Sequence, residues 1–182
     1  LLVANEFLDA LPIAQFERVE DGWVMRRVEL MTSGLRWDRS VGANLAFIPE
    51  QIRNAPVGAV HERGFAAEGV AAAVARRLSA QGGAALFIDY GHAGPALGDT
   101  LQSLKGGHYA EPLETLGEAD ISAHVDFTAI ARAMAPHAQV HGPETQGMFL
   151  ENIGISHRAD ALKAMASTQV RAEITAAHAR LV

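Results

Sequence analysis

The stretch Leu1-Leu2-Val3-Ala4-Asn5-Glu6-Phe7-Leu8-Asp9 passes from four apolar residues directly into a polar, acidic turn. A short apolar run that ends in this way is typical of a buried parallel β-strand leading into a loop. A second such run, Ala84 to Ile88, is followed by Asp89-Tyr90-Gly91-His92. The two runs therefore predict two neighbouring strands, each with polar residues at its carboxyl end.

The segment between the two runs contains an alanine-rich stretch, Glu62 to Gln81. Within it Val70, Val74 and Leu78 recur at helical spacing, and Gly82-Gly83 follows directly, as is typical of the C-terminal end of a helix. A strand, a helix and a second strand in this order predict an α/β fold with a parallel sheet, in which the helix is the crossover.

Two β-rich runs, Ile13 to Glu20 and Trp23 to Leu30, are separated by Asp21-Gly22. This dipeptide predicts a hairpin with a type I′ turn, whose two central residues have positive φ. From Leu35 to Val60 we expect short extended pieces joined by loops. The whole excursion from Ile13 to Val60 is longer than a crossover needs, which favours a substrate platform or a contact that forms a homodimer.

The second half of the chain predicts further loops, strands and helices. The glycine-rich residues Gly91 to Gly117 predict a loop region, and Ile121 to Val125 and Ala138 to His141 predict extended segments. Asp126 is a candidate N-cap for a helix that reaches Met134. Helices are expected from Thr145 to the end, with the core candidates Leu162, Met165, Val170, Ile174 and Leu181.

Composition places the chain in the ordinary globular class and excludes several functions. It has 182 residues, 49% hydrophobic and 20% charged, and a net charge of -6, which disfavours nucleic acid and anionic membranes as partners. The absence of cysteine excludes disulfides and thiolate zinc sites. No apolar run approaches the ~20 residues that span a bilayer, so we predict no membrane insertion.

The residues that follow the two strands are the candidates for a site, because ligands of open parallel sheets bind outside the carboxyl ends of the strands. Glu6 and Asp9 would lie on one face if their loop formed a helical turn, and the pair of acids could then hold a cation. The alternative is a helix cap and a solvated acid. Asp89, Tyr90 and His92 belong to the same edge, although a turn-forming Asp and a hydrogen-bonded His would give the same pattern.

Other catalytic signatures are absent from the sequence. None of the eight histidines forms an HExxH arrangement, so we predict no metal site. The sequence also lacks the Gly-x-Ser-x-Gly elbow of hydrolases and the Gly-Lys-Ser/Thr loop that binds phosphates, and Gly106-Gly107-His108-Tyr109 matches no cofactor fingerprint. These absences disfavour hydrolases and nucleotide triphosphatases.

Four segments in order resemble the successive motifs of the MidA-type methyltransferases. They are Asn5-Glu6-Phe7-Leu8-Asp9-Ala10-Leu11-Pro12, Gly82-Gly83-Ala84-Ala85-Leu86-Phe87-Ile88-Asp89-Tyr90-Gly91-His92, Gly98-Asp99-Thr100-Leu101-Gln102, and Gly117-Glu118-Ala119-Asp120-Ile121-Ser122-Ala123-His124-Val125-Asp126-Phe127. Thr145-Gln146-Gly147-Met148-Phe149-Leu150 extends the match towards the end. The family includes the mitochondrial arginine methyltransferase needed for assembly of respiratory complex I.

The resemblance implies a Rossmann-like class I methyltransferase fold with S-adenosylmethionine as cofactor and a protein arginine as substrate. In the family, the glycine-rich cofactor loop precedes the strand that opens this chain. We therefore expect residues 1–182 to be the C-terminal part of one methyltransferase domain, inactive when isolated, with an insertion at 13–60, a helical tail at 145–182 and the cofactor-loop segment missing.

The resemblance also implies partners and a compartment. The protein substrate would be a respiratory complex I subunit, and the compartment would be the mitochondrial matrix in a eukaryote or the cytoplasm in a bacterium. Two alternatives stay open: an assembly factor of the same fold without the chemistry, and a methyltransferase acting on a small molecule.

The expected roles follow from the chemistry of arginine. A guanidinium stays protonated, so carboxylates must orient it, and one carboxylate can hold it through two parallel hydrogen bonds. We expect Glu6 to bind the guanidinium with Asp9 as its partner, Asn5 and Glu6 to meet the cofactor, and His92 to accept a proton. Asp89 and Tyr90 would form the opposite wall of the substrate site. His108 and Asp126 are weaker substrate-binding candidates, and for Asp126 the sequence favours a helix N-cap over a place in the site.

Overall fold

The computed structural model describes residues 1–114 and 116–182 and contains two compact units, Leu1–Val140 and His141–Val182. The N-terminal unit contains the strands β1 (Leu2–Asn5), β2 (Ala14–Val19), β3 (Gly22–Met31), β4 (Gly34–Arg39), β5 (Val60–Arg63), β6 (Ala85–Ile88), β7 (Gly91–His92), β8 (Gln102–Lys105), β9 (His108–Ala110), β10 (Asp120–Ser122) and β11 (Val125–Asp126). Its helices are α1 (Phe65–Gln81) and α2 (Phe127–Met134). The C-terminal unit contains α3 (Gln146–Asn152), α4 (Ile155–Ala164) and α5 (Thr168–Leu181).

The two predicted parallel strands are confirmed. β1 and β6 pair in register from Leu2 opposite Ala85 to Asn5 opposite Ile88. The prediction that both strands are buried is wrong, since Leu2 is 37% and Val3 58% exposed. The pair forms a two-stranded sheet, so β1 has β6 on one edge and no strand on its other edge in the part of the chain that the structure describes.

Helix α1 packs its alanines against the rest of the N-terminal unit. Ala67, Ala71 and Ala75, spaced by four residues, are buried in one cluster with Leu8 and with residues of α2. Alanine brings the helix backbone close to its neighbours, which fixes the position of the crossover. The predicted start at Glu62 is wrong because the residues Val60 to Arg63 pair with β2 as a strand.

An antiparallel sheet of order β4-β3-β2-β5 occupies the excursion before α1. The predicted hairpin is confirmed, with Val19 opposite Gly22. The type I′ turn is wrong, because the connecting residues Glu20 and Asp21 lack positive φ and Gly22 itself takes φ +141°. Phe16, Trp23 and Ile48 form the core of this sheet.

The region predicted as a glycine-rich loop contains strands. β8 and β9 form a hairpin around Gly106 and Gly107, both with positive φ, and β10 pairs with the other edge of β8. The predicted strand Ile121 to Val125 is divided between β10 and β11, and β11 pairs in parallel with β7. Ala138 to His141 forms no strand.

The predicted helices of the C-terminal unit are confirmed. Thr145 and Ser167 cap α3 and α5 by accepting the N–H groups of Met148 and Val170. Four predicted core residues are wrong, since Leu162, Val170 and Leu181 are each 43% and Met165 is 92% exposed. Helical spacing does not show which face packs, and α4 buries Ala159 instead. None of the described helices is long and apolar enough to cross a membrane.

Candidate functional site

The carboxylate of Asp89, just after β6, holds the loop that follows β1. Its Oδ2 accepts the N–H groups of Phe7 at 3.2 Å, Leu8 at 3.0 Å and Asp9 at 3.3 Å. Its Oδ1 accepts the N–H of Tyr90 at 3.0 Å. Burial, and then the nearby Asp9 carboxylate, raise the pKa of Asp89, while the amide hydrogen bonds oppose the increase. Both oxygens of Asp89 are thus engaged by main-chain donors.

Glu6 begins the held loop in a strained backbone conformation. Its φ is +46°, and no other non-glycine residue in the described chain has positive φ. Such a conformation costs of order 1–3 kcal/mol and persists where the surroundings impose it. Here the N–H of Glu6 donates to the carbonyl of Ile88 at 2.9 Å, and Asp89 draws in the next three amides. The side chain of Glu6 is exposed, as is that of Asn5 before it.

Asp9 lies at the buried end of the same loop. Its side chain is 7% exposed, and its Oδ2 accepts the hydroxyl hydrogen of Tyr90. Its Oδ1 is buried and has no hydrogen-bond partner within residues 1–114 and 116–182. The condition for placing Glu6 and Asp9 on one face, a helical turn across both residues, is not met: the loop is irregular, and one acid is exposed while the other is buried.

Tyr90 connects Asp9 to the strand β10. Burial, and then the hydrogen bond to Asp9, raise the pKa of the Tyr90 phenol, and a hydrogen bond with Ser122 opposes the increase. The ring contacts His124 edge to face, with centroids 5.8 Å apart. Ser122 and His124 lie in a segment that the family resemblance had picked out, but no local spacing indicated their contact with Tyr90.

His92 and Asp126 face each other across the β7–β11 pair. The Nδ1 of His92 lies 2.8 Å from the carbonyl of Gly94, which in the neutral ring places the proton on Nδ1 and leaves Nε2 as the basic nitrogen. Asp126 accepts the N–H of Ala129 at 3.0 Å and caps α2. The predicted helix N-cap at Asp126 is thus confirmed, and its Oδ1 is the acceptor.

The strands β7 and β11 approach unusually closely at Gly91. A Cβ at this position would lie 2.0 Å from the carbonyl oxygen of Val125. Only glycine fits at such a distance. Gly91 thereby sets the position of His92, the next residue along β7.

His108 belongs to a different sheet from the strands that carry the loop residues. It is an exposed residue of β9, opposite Lys105 in the β8–β9 hairpin. The neighbouring Tyr109 is 81% exposed. The structure therefore groups Asn5, Glu6, Asp9, Asp89 and Tyr90 through hydrogen bonds and pairing, and places His108 on a separate hairpin.

A pocket of about 210 Å³ lies beside Asp9. Its polar lining includes Asp9 and Ser122, and its other lining residues are Ala10, Leu11, Pro12, Ile13, Leu101, Ile121 and Ala123. A mostly apolar pocket of this kind suits an aliphatic chain. Among the described residues, no group of His, Asp and Glu side chains could hold a metal ion.

Glu62 organises a polar network that the sequence did not reveal. It is 9% exposed, and its Oε1 accepts the side-chain amide of Gln15 at 2.7 Å and the N–H of Thr100 at 3.1 Å. The Thr100 hydroxyl donates to Glu62 and accepts the N–H of His124 at 2.9 Å. The network joins the antiparallel sheet to the segment that carries Leu101 and His124. The sequence predicts Glu62 in a helix, because its neighbours show no alternation of apolar and polar residues that would indicate a strand.

Comparison with known proteins shows the family to which the chain is similar. Residues 1–144 match the sequence profile of an S-adenosyl-L-methionine-dependent methyltransferase family. The chain belongs to this family. The predicted MidA-type resemblance and the cofactor that the family uses, S-adenosylmethionine, are confirmed.

The chain is also similar to named relatives and a solved structure. It is 33% identical over 188 residues to the protein arginine methyltransferase NDUFAF7, mitochondrial, of Danio rerio, covering 100% of this chain and 43% of the relative. It is 34% identical to the Caenorhabditis elegans homologue, covering 87% of this chain and 38% of the relative. The chain thus spans less than half the length of these relatives.

A crystal structure from Burkholderia thailandensis bound to S-adenosyl-homocysteine matches 98% of this chain and 48% of that chain, with a TM-score of 0.77 and 27% identity. This likeness confirms the predicted α/β, Rossmann-like class I methyltransferase fold.

Proposed function

We propose that the protein to which these residues belong transfers a methyl group from S-adenosylmethionine to an arginine of a protein substrate. The observation that carries the proposal is the loop after β1, which Asp89 holds so that Glu6 is exposed and Asp9 is buried. The names of the matched relatives, which are protein arginine methyltransferases, support the choice of substrate.

The residues at the end of β1 fit the amino-acid end of the cofactor. Asn5 carries a carboxamide, which can both donate and accept, and Glu6 carries a carboxylate; both side chains are exposed. Together they match a ligand that has an ammonium and a carboxylate group. When bound, S-adenosylmethionine supplies an electrophilic methyl group on its sulfonium. The glycine-rich cofactor loop is proposed to precede Leu1 in the same domain.

The substrate guanidinium is proposed to lie against Glu6. Its carboxylate would accept two parallel N–H hydrogen bonds and aim one nitrogen, and positioning of this kind is the larger part of catalysis for a direct displacement. The aliphatic stem would lie along the pocket beside Asp9. His92, with its proton held on Nδ1 by Gly94, would accept the released proton at Nε2.

Asp89 and Tyr90 are proposed to be positioning residues rather than substrate ligands. Asp89 has both oxygens on main-chain amides, and the Tyr90 hydroxyl is bound to Asp9. Asp126 is proposed to act as a helix cap, and His108 to act outside the site.

Methyl transfer by the full-length protein tests the proposal. The measurement is incorporation of labelled methyl into arginine peptides, with mass spectrometry to locate the modified residue. We expect Glu6→Gln to lower kcat/KM by about 100-fold, because the guanidinium loses its orientation, and to weaken cofactor binding, because the cofactor's ammonium group loses a carboxylate. Glu20→Gln, in the exposed turn after β2, is the matched control.

Three outcomes contradict parts of the proposal. Unchanged turnover in Glu6→Gln removes Glu6 from its role. An absence of S-adenosylmethionine binding in calorimetry favours an assembly factor without the chemistry. Methylation of small amines in place of peptides favours a small-molecule enzyme.

The finer substrate and the compartment are also proposals. A subunit of respiratory complex I as the methylated protein follows from the family resemblance, and the names of the relatives add the mitochondrion. In a eukaryotic host we propose the mitochondrial matrix, and in a bacterial host the cytoplasm. Comparing arginine methylation of complex I with and without the protein tests the substrate.

A further inference from the structure

The β3–β4 hairpin extends beyond the sheet to which it belongs. β2 pairs with β3 only from Gly22 to Met25, whereas β3 continues to pair with β4 from Arg26 opposite Arg39 to Met31 opposite Gly34. The outer part of the hairpin is therefore a two-stranded arm. An isolated two-stranded arm is marginally stable in water, so a contact on it would add stability.

The two faces of the arm differ sharply in polarity. One face carries the ion pairs Arg36–Glu29 at 2.6 Å and Arg27–Asp38 at 3.8 Å. The opposite face carries Val28, Leu30, Leu35 and Trp37, of which Val28 is 48%, Leu30 79% and Trp37 44% exposed. Apolar residues exposed together on one face mark an interaction surface.

The outer edge of the arm offers main-chain groups for pairing. β4 is the last strand in the sheet order, whereas the other edge strand, β5, accepts the N–H of Gly98 at Val60. The N–H of Ser40 donates to the carbonyl of Met25, so every second residue of β4 bonds towards β3. Leu35 and Trp37 are in the alternate set, and their main-chain groups point outward, as an added strand requires.

The charges along β4 are self-complementary. We propose that β4 pairs antiparallel with β4 of a second copy of this chain, across a two-fold axis centred on Trp37. In this register Arg36 faces the partner's Asp38 in a non-hydrogen-bonded pair, where opposing side chains lie closest. Across the four strands, the charged face then carries Glu29, Arg36, the partner's Asp38 and the partner's Arg27 in this order, so that negative and positive side chains alternate.

The apolar face supports the same register. Trp37 faces the partner's Trp37, flanked on either side by Val28 and the partner's Val28, so the exposed apolar row becomes continuous. An isologous contact of this kind needs the same patch on both subunits. The alternating charge order of β4 provides that complementarity, which favours a second copy over an unrelated partner. The dimer is independent of the proposed methyltransferase activity.

Two charge-reversed proteins test the pairing. The double variants Glu29→Arg/Arg36→Glu and Arg27→Glu/Asp38→Arg each keep their internal ion pairs but place like charges across the two-fold axis. Each alone is expected to dissociate at least about tenfold more readily than the wild type in sedimentation velocity. Mixed together, they face each other with opposite charges, so a heterodimer of wild-type affinity is expected.

The mixture separates the proposal from misfolding, since two unfolded variants would not restore a dimer. Far-UV circular dichroism of each variant provides the matching check on the fold. A wild-type protein that stays monomeric up to about 100 µM overturns the proposal. Two double variants that dimerise as well as the wild type overturn it too.

Discussion

The side chain of Asp89 accepts the main-chain N–H of Leu8 at 3.0 Å across 81 positions of sequence. With the neighbouring amides of Phe7 and Asp9, this contact ties the loop after β1 to the end of β6. The parallel pairing of the two strands brings the carboxylate and the amides to one edge. A single carboxylate thereby shapes the loop on which the candidate site is built.

Removing the Asp89 carboxylate should destabilise the N-terminal unit. Asp89→Ala leaves four amides without their acceptor, and we expect a loss of about 2–3 kcal/mol in the free energy of unfolding. Asp89→Asn keeps one oxygen and should cost less. Urea denaturation measures both, with Asp21→Ala in the exposed β2–β3 turn as the control. An equal loss for Asn and Ala would contradict the role of the oxygen as an acceptor.

The raised pKa of Asp89 predicts a dependence of stability on pH. A carboxyl group whose pKa is higher in the folded state than in the unfolded state stabilises the fold while it is protonated. This stabilisation is complete when the pH lies below the unfolded-state pKa of 3.8. The difference in unfolding free energy between wild type and Asp89→Asn should therefore fall as pH rises through the folded pKa and become constant above it. A difference that grows with pH would contradict this assignment.

Tyr90→Phe should weaken the buried end of the loop. The variant removes the hydrogen bond to Asp9, and the expected loss is about 1–3 kcal/mol because the acceptor is charged. The raised pKa of Tyr90 means that the wild type loses its advantage only as pH rises above 10, through the folded value. Thermal denaturation measures the effect. The exposed Tyr109→Phe is the control, and an equal loss there would rule out a specific role for Tyr90.

Gly91→Ala should be destabilising because there is no space for a Cβ at this position, and not because the residue has a positive φ. The added methyl would lie 2.0 Å from the Val125 carbonyl oxygen, so β7 and β11 must separate, at an expected cost of about 1–3 kcal/mol. Gly69→Ala in α1 has free space and should stabilise by about 0.5–1 kcal/mol. Calorimetry on both variants checks the opposite signs, and two changes of the same sign would count against the close approach.

His61 should make the protein sensitive to mild acid. The ring is 1% exposed and stacks on Phe16, and burial lowers its pKa despite the hydrogen bond to Ala96. Because the pKa of His61 is lower in the folded state, its stabilising contribution is complete above pH 6.5, the unfolded-state pKa, and is lost as the pH falls through the folded-state pKa. Relative to His61→Phe, the wild type should lose unfolding free energy as pH falls from 7.5 to 5.5 in urea titrations. Parallel curves for the two proteins would contradict a buried neutral His61.

Local patterns in the sequence predicted the elements that depend on neighbouring residues. The apolar runs marked β1 and β6, the glycines after Gln81 marked the end of α1, and Asp126 marked the start of α2. The same patterns failed at Glu62 and at the β8–β9 hairpin, where partners distant in sequence decide the structure. Strand pairing forms hydrogen bonds between residues that are distant in sequence, and a short stretch of sequence does not contain both partners.

The sequence by itself determined that Asn5 lies at the end of a strand and that Glu6 and Asp89 directly follow strands, because an apolar run that ends in polar residues needs no distant partner to be recognised. Only the tertiary structure decided what each acid does. Parallel pairing of β1 with β6 delivers the Asp89 oxygens to the amides of the loop, which leaves Glu6 in solvent and carries Asp9 under Tyr90. Burial and hydrogen bonding of a carboxylate depend on what the fold brings against it, and that is not encoded in its neighbours along the chain.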